Sequence, residues 1–211
     1  KKDFPKGALD LETDANDDLW IGVMYQGSIA KFDRATSRFQ TWPIPREWDS
    51  DAGQLGHLAV YGTHVDQKVW IKNSDGNNIY RLDLATNRIE NLGQIFDPST
   101  RRRFGSYGIH SDKDNNLYLL DFSSSNIGRI DAKTGEAQFY PVPTEKSRNR
   151  RGRMDEQDRF WFAQYRGGKV AVFDTKTRAV KEWPLASPWS APYDLVTDKR
   201  VLWRRGLLRR S

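Results

Sequence analysis

The sequence has 211 residues, of which 37% are hydrophobic and 12% are aromatic, with eight tryptophans and no cysteine. The lack of cysteine excludes disulfide bonds, thiolate metal sites and cysteine nucleophiles, and it leaves the cellular compartment undecided. No run of residues is as long and apolar as a membrane span, and no signal peptide opens the sequence. Because the sequence starts at Lys1 without an initiator methionine, we expect an upstream segment to be missing.

The net charge of +6 does not favour nucleic-acid binding, because of where the charge lies. Residues Lys199–Ser211 contain six basic residues and no acid, so residues 1–198 are neutral overall. A phosphate-binding surface needs clustered positive charge on the folded body. Two further basic runs, Arg101–Arg103 and Arg148–Arg153, are expected in loops between repeats as solvated charge, with an anion-binding rim as the alternative.

An internal repeat organises the chain. An aromatic residue is followed 13 positions later by an aspartate four times, and successive aromatics are 50, 48 and 43 residues apart. Three of the aspartates are followed ten residues later by proline. Short apolar–polar alternations at this period predict several strands per repeat, as in a β-propeller. The pairs are Trp20 and Asp33, Trp70 and Asp83, Tyr118 and Asp131, and Trp161 and Asp174.

The repeats follow one another without an obvious boundary, so residues 1–198 are predicted to be a single array. The predicted blades cover about 7–45, 57–92, 106–143 and 150–185, and a fifth begins at about 191. Pro43 and Pro45 are expected to end the strand pairing of the first blade, since proline cannot donate to a ladder. Residues 199–211 read as an irregular basic tail, and we hypothesise that this end is truncated or frame-shifted.

The predicted fold is an all-β propeller of four-stranded blades. About four and a half blades are present, which we interpret as a fragment of a six- or seven-bladed ring, with a closed four-bladed ring as the alternative. Ring closure would remove the open sheet edges that otherwise promote aggregation.

The repeat resembles that of the virginiamycin B lyase (streptogramin lyase) family. The third repeat carries the motifs best, in Asn126–Asp131, Thr134-Gly135 and Tyr140–Pro143. The resemblance extends over roughly Gly7 to Trp203. It implies a seven-bladed propeller that opens a cyclic depsipeptide by metal-assisted elimination, using Mg²⁺ with a histidine and nearby glutamates.

The resemblance does not place the family's catalytic histidine in this chain. In the family it lies in a Pro-His-Gly-Ile run, and the matching positions here are Tyr107 and Tyr193. The nearest candidate is His57, which opens the second repeat without the proline and glycine. We therefore treat His57 as the candidate catalytic residue and Mg²⁺ as the cofactor implied by the resemblance, with lyase activity an open question.

Polar residues that open the first strands or follow the second strands are expected to line one mouth of the propeller channel. Converging polar groups at a concave mouth are the default ligand site. His57 beside Asp121 could form a base with its orienting group, or a weak Mg²⁺ shell with Asp121 as ligand. The alternative is a hydrated rim without a ligand. The candidate ligand-binding residues are Asn73, Tyr107, Asp121, Arg150, Gln164, Tyr165, Arg166 and Tyr193.

Several other motifs favour structural roles. His64 and His110 form no metal-spaced pair and are expected to be structural or solvated. The runs Asp14–Asp18 and Asp112–Asn116 resemble the start of a calcium loop but lack its glycine and final glutamate, so we expect hairpin tips. The repeated aromatics are expected to be core between blades rather than stacking platforms.

The leading functional hypothesis is a ligand-recognising propeller whose site lies at the channel mouth, with a metal-assisted C–O lyase as its enzymatic form. The alternatives are a non-enzymatic scaffold of a larger extracytoplasmic protein that binds protein or glycan, and a gluconolactonase-like sugar-lactone hydrolase. The expected partner is a small molecule, glycan or protein, not a nucleic acid, and the expected state is a monomer without a membrane span. A periplasmic or secreted location is favoured over others.

Overall fold

The computed structural model describes residues 7–25, 27–48, 55–73, 78–97, 100–197 and 202–206. They form four four-stranded antiparallel sheets and one two-stranded sheet, each built from strands that are consecutive in the chain. The described helical content is one 3₁₀ turn, Arg46–Trp48, and one helical turn, α1 (Thr63–Asp66). The prediction of an all-β propeller with four-stranded blades is confirmed.

The strands succeed one another in chain order. The first blade has β1 (Ala8–Thr13), β2 (Leu19–Val23), β3 (Ser28–Asp33) and β4 (Arg38–Pro43); the second has β5 (Leu55–Ala59), β6 (Lys68–Asn73), β7 (Asn78–Asp83) and β8 (Arg88–Gln94). The third has β9 (Ser106–Ser111), β10 (Leu117–Asp121), β11 (Asn126–Ile130) and β12 (Ala137–Pro141). The fourth has β13 (Asn149–Met154), β14 (Arg159–Gln164), β15 (Lys169–Asp174) and β16 (Val180–Pro184), and β17 (Pro192–Thr197) pairs with β18 (Leu202–Gly206).

The end of the chain is described in part. Leu202–Gly206 is a strand inside the segment 199–211, for which an irregular tail was predicted. Residues 198–201 and 207–211 lie outside the described residues.

The repeated aspartates hold the turns between the third and fourth strands. Oδ1 of Asp33 and of Asp83 accepts a hydrogen bond from the backbone N–H three residues later, at 2.9 and 3.0 Å. Asp131 and Asp174 each accept two backbone N–H groups, from the residues two and three positions later. These backbone donors lower the pKa of Asp83, Asp131 and Asp174. The aspartates at the 13-residue spacing therefore stabilise turns and do not form a set of catalytic carboxylates.

The same hairpins share a second feature, a residue with positive φ four positions after the aspartate. The φ values are 56° at Ser37, 55° at Asn87, 74° at Gly135 and 60° at Arg178. Only glycine adopts this left-handed conformation without steric cost, so three of the four hairpins hold a non-glycine residue in a strained position.

The repeated aromatics lie in the core, as predicted, with one exception. Trp20 and Trp70 have no exposed surface, and Tyr118 is 2% exposed. Trp161 is half-buried and stacks on Trp183 with ring centroids 5.7 Å apart.

The described residues divide into two compact units. The first comprises Lys1–Arg103 with Lys113–Leu117, and the second comprises Phe104–Asp112 with Tyr118–Ser211. In the first unit, Trp20 stacks on Trp42 at 5.6 Å within a cluster of buried aliphatic residues. In the second, Tyr118 packs against Phe160 and Phe173 at 5.8 and 6.2 Å. Each unit thus has a hydrophobic core of its own.

Candidate functional site

The first strand of each of four sheets has an irregularity near its start. The register shifts between Ala8 and Asp10, between Leu55 and His57, between Asn149 and Gly152, and between Pro192 and Asp194. Such bulges re-aim side chains and are common beside functional sites. In the second unit the shifts fall on residues that the sequence singled out, Arg150 and Tyr193.

Arg150 lies among four aromatic rings of the second unit. Its Cζ is 3.9 Å from the ring centroid of Tyr193 and 4.5 Å from that of Tyr165. The distances to Tyr107 and Phe122 are 4.6 and 4.9 Å. All four are within the range of cation–π attraction. We name Tyr107, Phe122, Arg150, Tyr165 and Tyr193 the arginine cluster.

The rings of the arginine cluster also hold one another. Tyr107 meets Phe122 at 5.5 Å in a tilted arrangement and Tyr193 edge-on at 6.0 Å. Tyr165 meets Tyr193 edge-on at 6.3 Å and Phe122 at 6.4 Å. The hydroxyls of Tyr107 and Tyr193 are hydrogen-bonded to each other. Because each ring touches at least two others, the arrangement is fixed without any ligand.

A glycine allows β9 and β13 to bring two of these residues together. A Cβ at Gly108 would lie 2.4 Å from the carbonyl oxygen of Arg150 and 3.0 Å from Cα of Arg151. Only a residue without a side chain permits this approach of the two backbones. The approach places Tyr107, the neighbour of Gly108, against the guanidinium of Arg150.

The charge of Arg150 is not balanced by an acid within the described part of the chain. Arg150 has no ion pair there, and its Nε is buried without a hydrogen-bond partner among these residues. Arg148 adds positive charge 5.1 Å from the Phe122 ring. Arg151 is partly offset by Asp194, with 3.5 Å between Nη1 and Oδ2. The arginine cluster therefore carries net positive charge.

Tyr107 does not supply the missing negative charge. Burial, together with the hydrogen bond between the Tyr107 and Tyr193 hydroxyls, raises the pKa of Tyr107 to about 12, although the charge of Arg150 acts in the opposite direction. Tyr107 is therefore neutral at physiological pH and offers a hydroxyl rather than a phenolate.

The last residues of the second strands, which precede Phe122 and Tyr165 in the sequence, are buried polar side chains. Asp121 is 4% exposed and accepts hydrogen bonds from the Ser123 N–H at 2.7 Å and from the Ser124 hydroxyl. Gln164 is fully buried and donates to Oε1 of Glu182 at 2.7 Å. Both predicted residues are thus bound within the protein, which suits positioning better than direct ligand contact.

Glu182 connects Gln164 to two further residues. Burial alone would raise the pKa of Glu182, but hydrogen bonds from Thr144, Gln164 and Lys169 outweigh it and lower that pKa. Oε1 of Gln164 and Nδ2 of Asn149 are buried and have no hydrogen-bond partner among the described residues.

Four predicted site residues, Tyr107, Arg150, Tyr165 and Tyr193, come together in the arginine cluster. Arg166 is exposed next to it, with its backbone N–H bonded to the Ser147 carbonyl at 2.9 Å. Phe122 was not among the predicted residues, although it directly follows β10 as Tyr165 directly follows β14. That alignment of strand ends was the signal that could have found it.

One expectation about the basic runs was wrong. Arg148–Arg153 was expected to be solvated loop charge, but Asn149–Met154 is strand β13, with Arg150 and Arg151 half-buried. Arg150 contacts aromatic rings and Arg151 is paired with Asp194, so this part of the basic run is packed into the second unit. Arg101–Arg103 is exposed, as expected.

The predicted residues of the first unit, His57 and Asn73, lie in a different environment. His57 is 5% exposed, and its Nδ1 is 3.5 Å from Oδ2 of Asp10. The same oxygen accepts a hydrogen bond from the Leu58 N–H at 3.0 Å. Asn73 is 1% exposed, and burial lowers the pKa of the neighbouring Lys72 to about 8. Histidine and carboxylate are thus paired within the unit, and the pairing of His57 with Asp121 stays a prediction.

The described residues do not fit the Mg²⁺ site that the lyase resemblance implies. No group of three or more histidine, aspartate or glutamate side chains among them could hold a metal ion. Both oxygens of Asp121, the predicted ligand, accept hydrogen bonds from serines. We therefore derive no step through a metal.

The calcium-like run Asp14–Asp18 is a hairpin tip, as predicted. Oδ1 of Asp14 accepts the N–H groups of Asn16 and Asp18, and Oδ2 accepts the Trp20 indole N–H at 2.8 Å. The ammonium of Lys31 lies 2.7 Å from Oδ2 of Asp18. A lysine therefore supplies the cation here.

The other two histidines take no part in the arginine cluster. His64 is exposed in α1, on a cavity of about 120 Å³ that Asp14 and Lys31 also line. His110 is 6% exposed, with Nδ1 2.9 Å from the Ser111 carbonyl oxygen. No helix among the described residues is long and apolar enough to cross a membrane.

Neither the comparison with protein-family models nor that with curated proteins finds a match. Solved structures do match. A catalytically inactive virginiamycin B lyase from Staphylococcus aureus with quinupristin has a TM-score of 0.76 at 19% identity, covering 95% of this chain and 63% of the lyase. A streptogramin B lyase structure has a TM-score of 0.75 at 20% identity, covering 94% of this chain and 62% of that one.

Propellers of other functions are also similar. A nidogen/laminin complex matches with a TM-score of 0.72 at 12% identity, covering 95% of this chain and 72% of the matched chain. The chain spans 63% of the length of the first lyase structure. At these identities the likeness establishes the fold alone: the chain has a β-propeller fold similar to that of virginiamycin B lyase.

Proposed function

We propose that this chain is a ligand-binding β-propeller module whose recognition site is the arginine cluster of the second unit. The observation that supports the proposal is the position of Arg150, a half-buried arginine held among four aromatic rings without an acidic partner in the described residues. An arginine that served folding alone would be expected to have a carboxylate partner, since buried charges are normally paired.

The arginine cluster offers a defined set of contacts to a ligand. Arg150 presents guanidinium N–H donors, and Tyr165 and Tyr193 add ring faces and hydroxyls. The cation position among the rings is already filled by Arg150, so the cluster is not suited to a cationic ligand such as a quaternary ammonium. The ring-to-ring contacts fix the side chains in advance, which reduces the entropy lost on binding.

The identity of the ligand is open to a small molecule, a glycan or a group on a protein. Quinupristin is a reasonable first compound, because a structure of similar fold was determined with it. A lyase or lactone-hydrolase reaction is not part of the proposal, since the described residues do not fit a metal site.

A fragment screen tests the proposal. The full chain would be screened by thermal shift and by ligand-detected NMR with quinupristin and a library of small aromatic and polar fragments. Two variants accompany it, Arg150→Gln in the arginine cluster and Arg178→Gln as the matched control. Arg178 is exposed in the same unit and also lies over a tyrosine ring, with Cζ 5.8 Å from the Tyr140 centroid.

The proposal expects compounds that bind the native chain and the Arg178→Gln variant but lose affinity for Arg150→Gln. Compounds that bind all three proteins equally would locate the ligand site elsewhere and reject the arginine cluster as the recognition site.

A second candidate function is a protein-binding scaffold. The similarity to a propeller in a nidogen/laminin complex favours it, because that fold is found there in an assembly of proteins. The chain and its Arg150→Gln variant, each immobilised, would distinguish the two candidate functions. A scaffold surface elsewhere on the chain would retain a protein partner in both forms.

A further inference from the structure

We infer that the arginine cluster recognises a carboxylate carried on a flat organic ligand. This inference rests on the proposed function and adds the chemical class of the recognised group. It is drawn from the unbalanced charge of Arg150, the walls around it and the charges nearby.

The first observation is the charge of Arg150 and the absence of an acid to neutralise it. Among the described residues, its contacts are the four aromatic rings. Ring faces stabilise a cation but leave its charge and N–H donors unsatisfied. A carboxylate is the planar acceptor that matches the planar guanidinium fork, with two parallel hydrogen bonds.

The second observation is the kind of wall that the arginine cluster provides. Aromatic surface surrounds the guanidinium, and each of the four rings is half-buried and so partly open to solvent. The rings are those of Tyr107, Phe122, Tyr165 and Tyr193. A ligand that reaches Arg150 therefore passes along ring faces. A flat group bearing the carboxylate can stack there, whereas a small hydrated anion gains nothing from the rings.

The third observation is the balance of charge around the arginine cluster. Arg148 is an exposed cation beside Phe122, whereas the charge of Arg151 is partly offset by Asp194. One unbalanced guanidinium and one peripheral cation suit a singly charged group better than a phosphate dianion, for which sites normally gather several donors at close range. Tyr107 stays neutral and does not repel the anion.

The experiment compares three probes of nearly equal shape: benzoate, benzamide and benzamidine, which are anionic, neutral and cationic. Each is titrated into the full chain at low salt while backbone and arginine side-chain NMR signals are followed. We expect benzoate to bind about tenfold more tightly than benzamide, the difference expected for one charge-assisted contact. Benzamidine is expected to bind more weakly than both.

Variants connect the preference to Arg150. In Arg150→Gln, the affinity for benzoate is expected to fall to that for benzamide, and in Arg150→Lys part of the preference should remain because the charge is kept and the fork is lost. The control Arg178→Gln is expected to behave as the native chain. Should Arg150→Gln not fold, the lysine variant and the salt dependence decide: added salt should weaken benzoate binding and leave benzamide binding unchanged.

The carboxylate inference and the proposed ligand site can fail separately. Benzamide binding at the arginine cluster as tightly as benzoate would overturn the carboxylate inference and leave the ligand site standing. The absence of any probe effect on the signals of Arg150, Tyr165 and Tyr193 would count against both.

Discussion

The two units treat an ionisable residue near the start of a blade's first strand in opposite ways. In the first unit, His57 is buried against Asp10, and Asp10 also accepts a backbone N–H. In the second, Arg150 is surrounded by aromatic rings and has no acidic partner among the described residues. The repeat fixes where such a side chain lies, whereas its neighbours decide whether it is paired for stability or remains open to a ligand.

A second pair of positions shows what the units share. Trp20 of the first unit and Trp161 of the second each donate the indole N–H to an aspartate six residues earlier, both at 2.8 Å. Lys31 lies over the first ring at 5.4 Å, and Arg159 lies over the second at 5.6 Å. In both places the cation contacts the aspartate as well as the ring. Arg150 differs by having the rings without the acid.

Separating β9 from β13 should disrupt the arginine cluster and reduce stability more than any other change considered. Gly108→Ala would place a methyl group 2.4 Å from the backbone carbonyl of Arg150, so β9 and β13 would have to separate. We expect a loss of about 3 kcal/mol in the free energy of unfolding, measured by urea denaturation, because a backbone atom cannot move aside cheaply.

Gly135→Ala is the control for Gly108→Ala. It has open space around its Cβ but a φ of 74°, so strain alone should cost about 1 kcal/mol. Equal losses in the two variants would show that close backbone contact at Gly108 is not the cause.

The contact between His57 and Asp10 in the first unit is tested by removing the carboxylate. Asp10→Ala leaves the buried Leu58 N–H without its acceptor and removes the contact of His57, so the free energy of unfolding should fall by about 2 kcal/mol. Asp10→Asn keeps an acceptor oxygen and should lose less. In contrast, Arg150→Gln breaks no ion pair and loses only the cation–π contacts with the rings, so the free energy of unfolding should fall by about 1 kcal/mol or less. A loss larger than that of Asp10→Ala would show that Arg150 contributes chiefly to stability.

A pH titration tests whether the Tyr107 hydroxyl of the arginine cluster is buried. The pKa of Tyr107 is raised to about 12, above its value in an unfolded chain, so its contribution to stability is complete below pH 10 and is lost as the pH rises toward 12. Phenolate absorbance should show fewer late-titrating tyrosines in Tyr107→Phe, and that variant should lose less stability between pH 10 and pH 12. Unchanged alkaline behaviour would mean that the Tyr107 hydroxyl is open to water.

The smallest effect concerns a position that both units share. Ser37 in the first unit and Arg178 in the second have positive φ where the third blade has Gly135. Ser37→Gly and Arg178→Gly should each raise the free energy of unfolding by about 0.5 kcal/mol in urea denaturation, because glycine removes the steric cost. A loss of stability on either change would show that side-chain contacts at the tip outweigh the strain.

The fold could be predicted because the repeated aromatic and aspartate residues recur at a fixed spacing in the sequence. The recurrence from Trp20 to Asp33 and from Trp70 to Asp83 reflects a buried ring and a turn-holding carboxylate, both of which depend on short-range chain geometry. Prolines at the ends of the fourth strands, such as Pro43, added the stop signal. These features act within one hairpin, so the sequence displays them directly.

The site could be predicted only in part. The order of the repeats indicated Tyr107, Arg150, Tyr165 and Tyr193, but the burial of Arg150 depends on a register shift in β13 that no residue pattern announced. Similarly, the contact of His57 with Asp10 joins residues 47 positions apart through packing of β1 near β5, for which the sequence offered several acids. Contacts between blades depend on packing that hairpin patterns do not encode.

Whether Arg150 is the residue that meets the ligand is best measured on its own side chain during ligand titration. Proton–nitrogen NMR spectra of arginine side chains would be recorded on the full chain as benzoate is added, with the histidine ring signals as an internal reference. We predict that the Arg150 signal moves together with ring signals of Tyr165 and Tyr193, while His57 does not respond. A response at His57 with Arg150 unchanged would contradict it, and would move the site to the first unit.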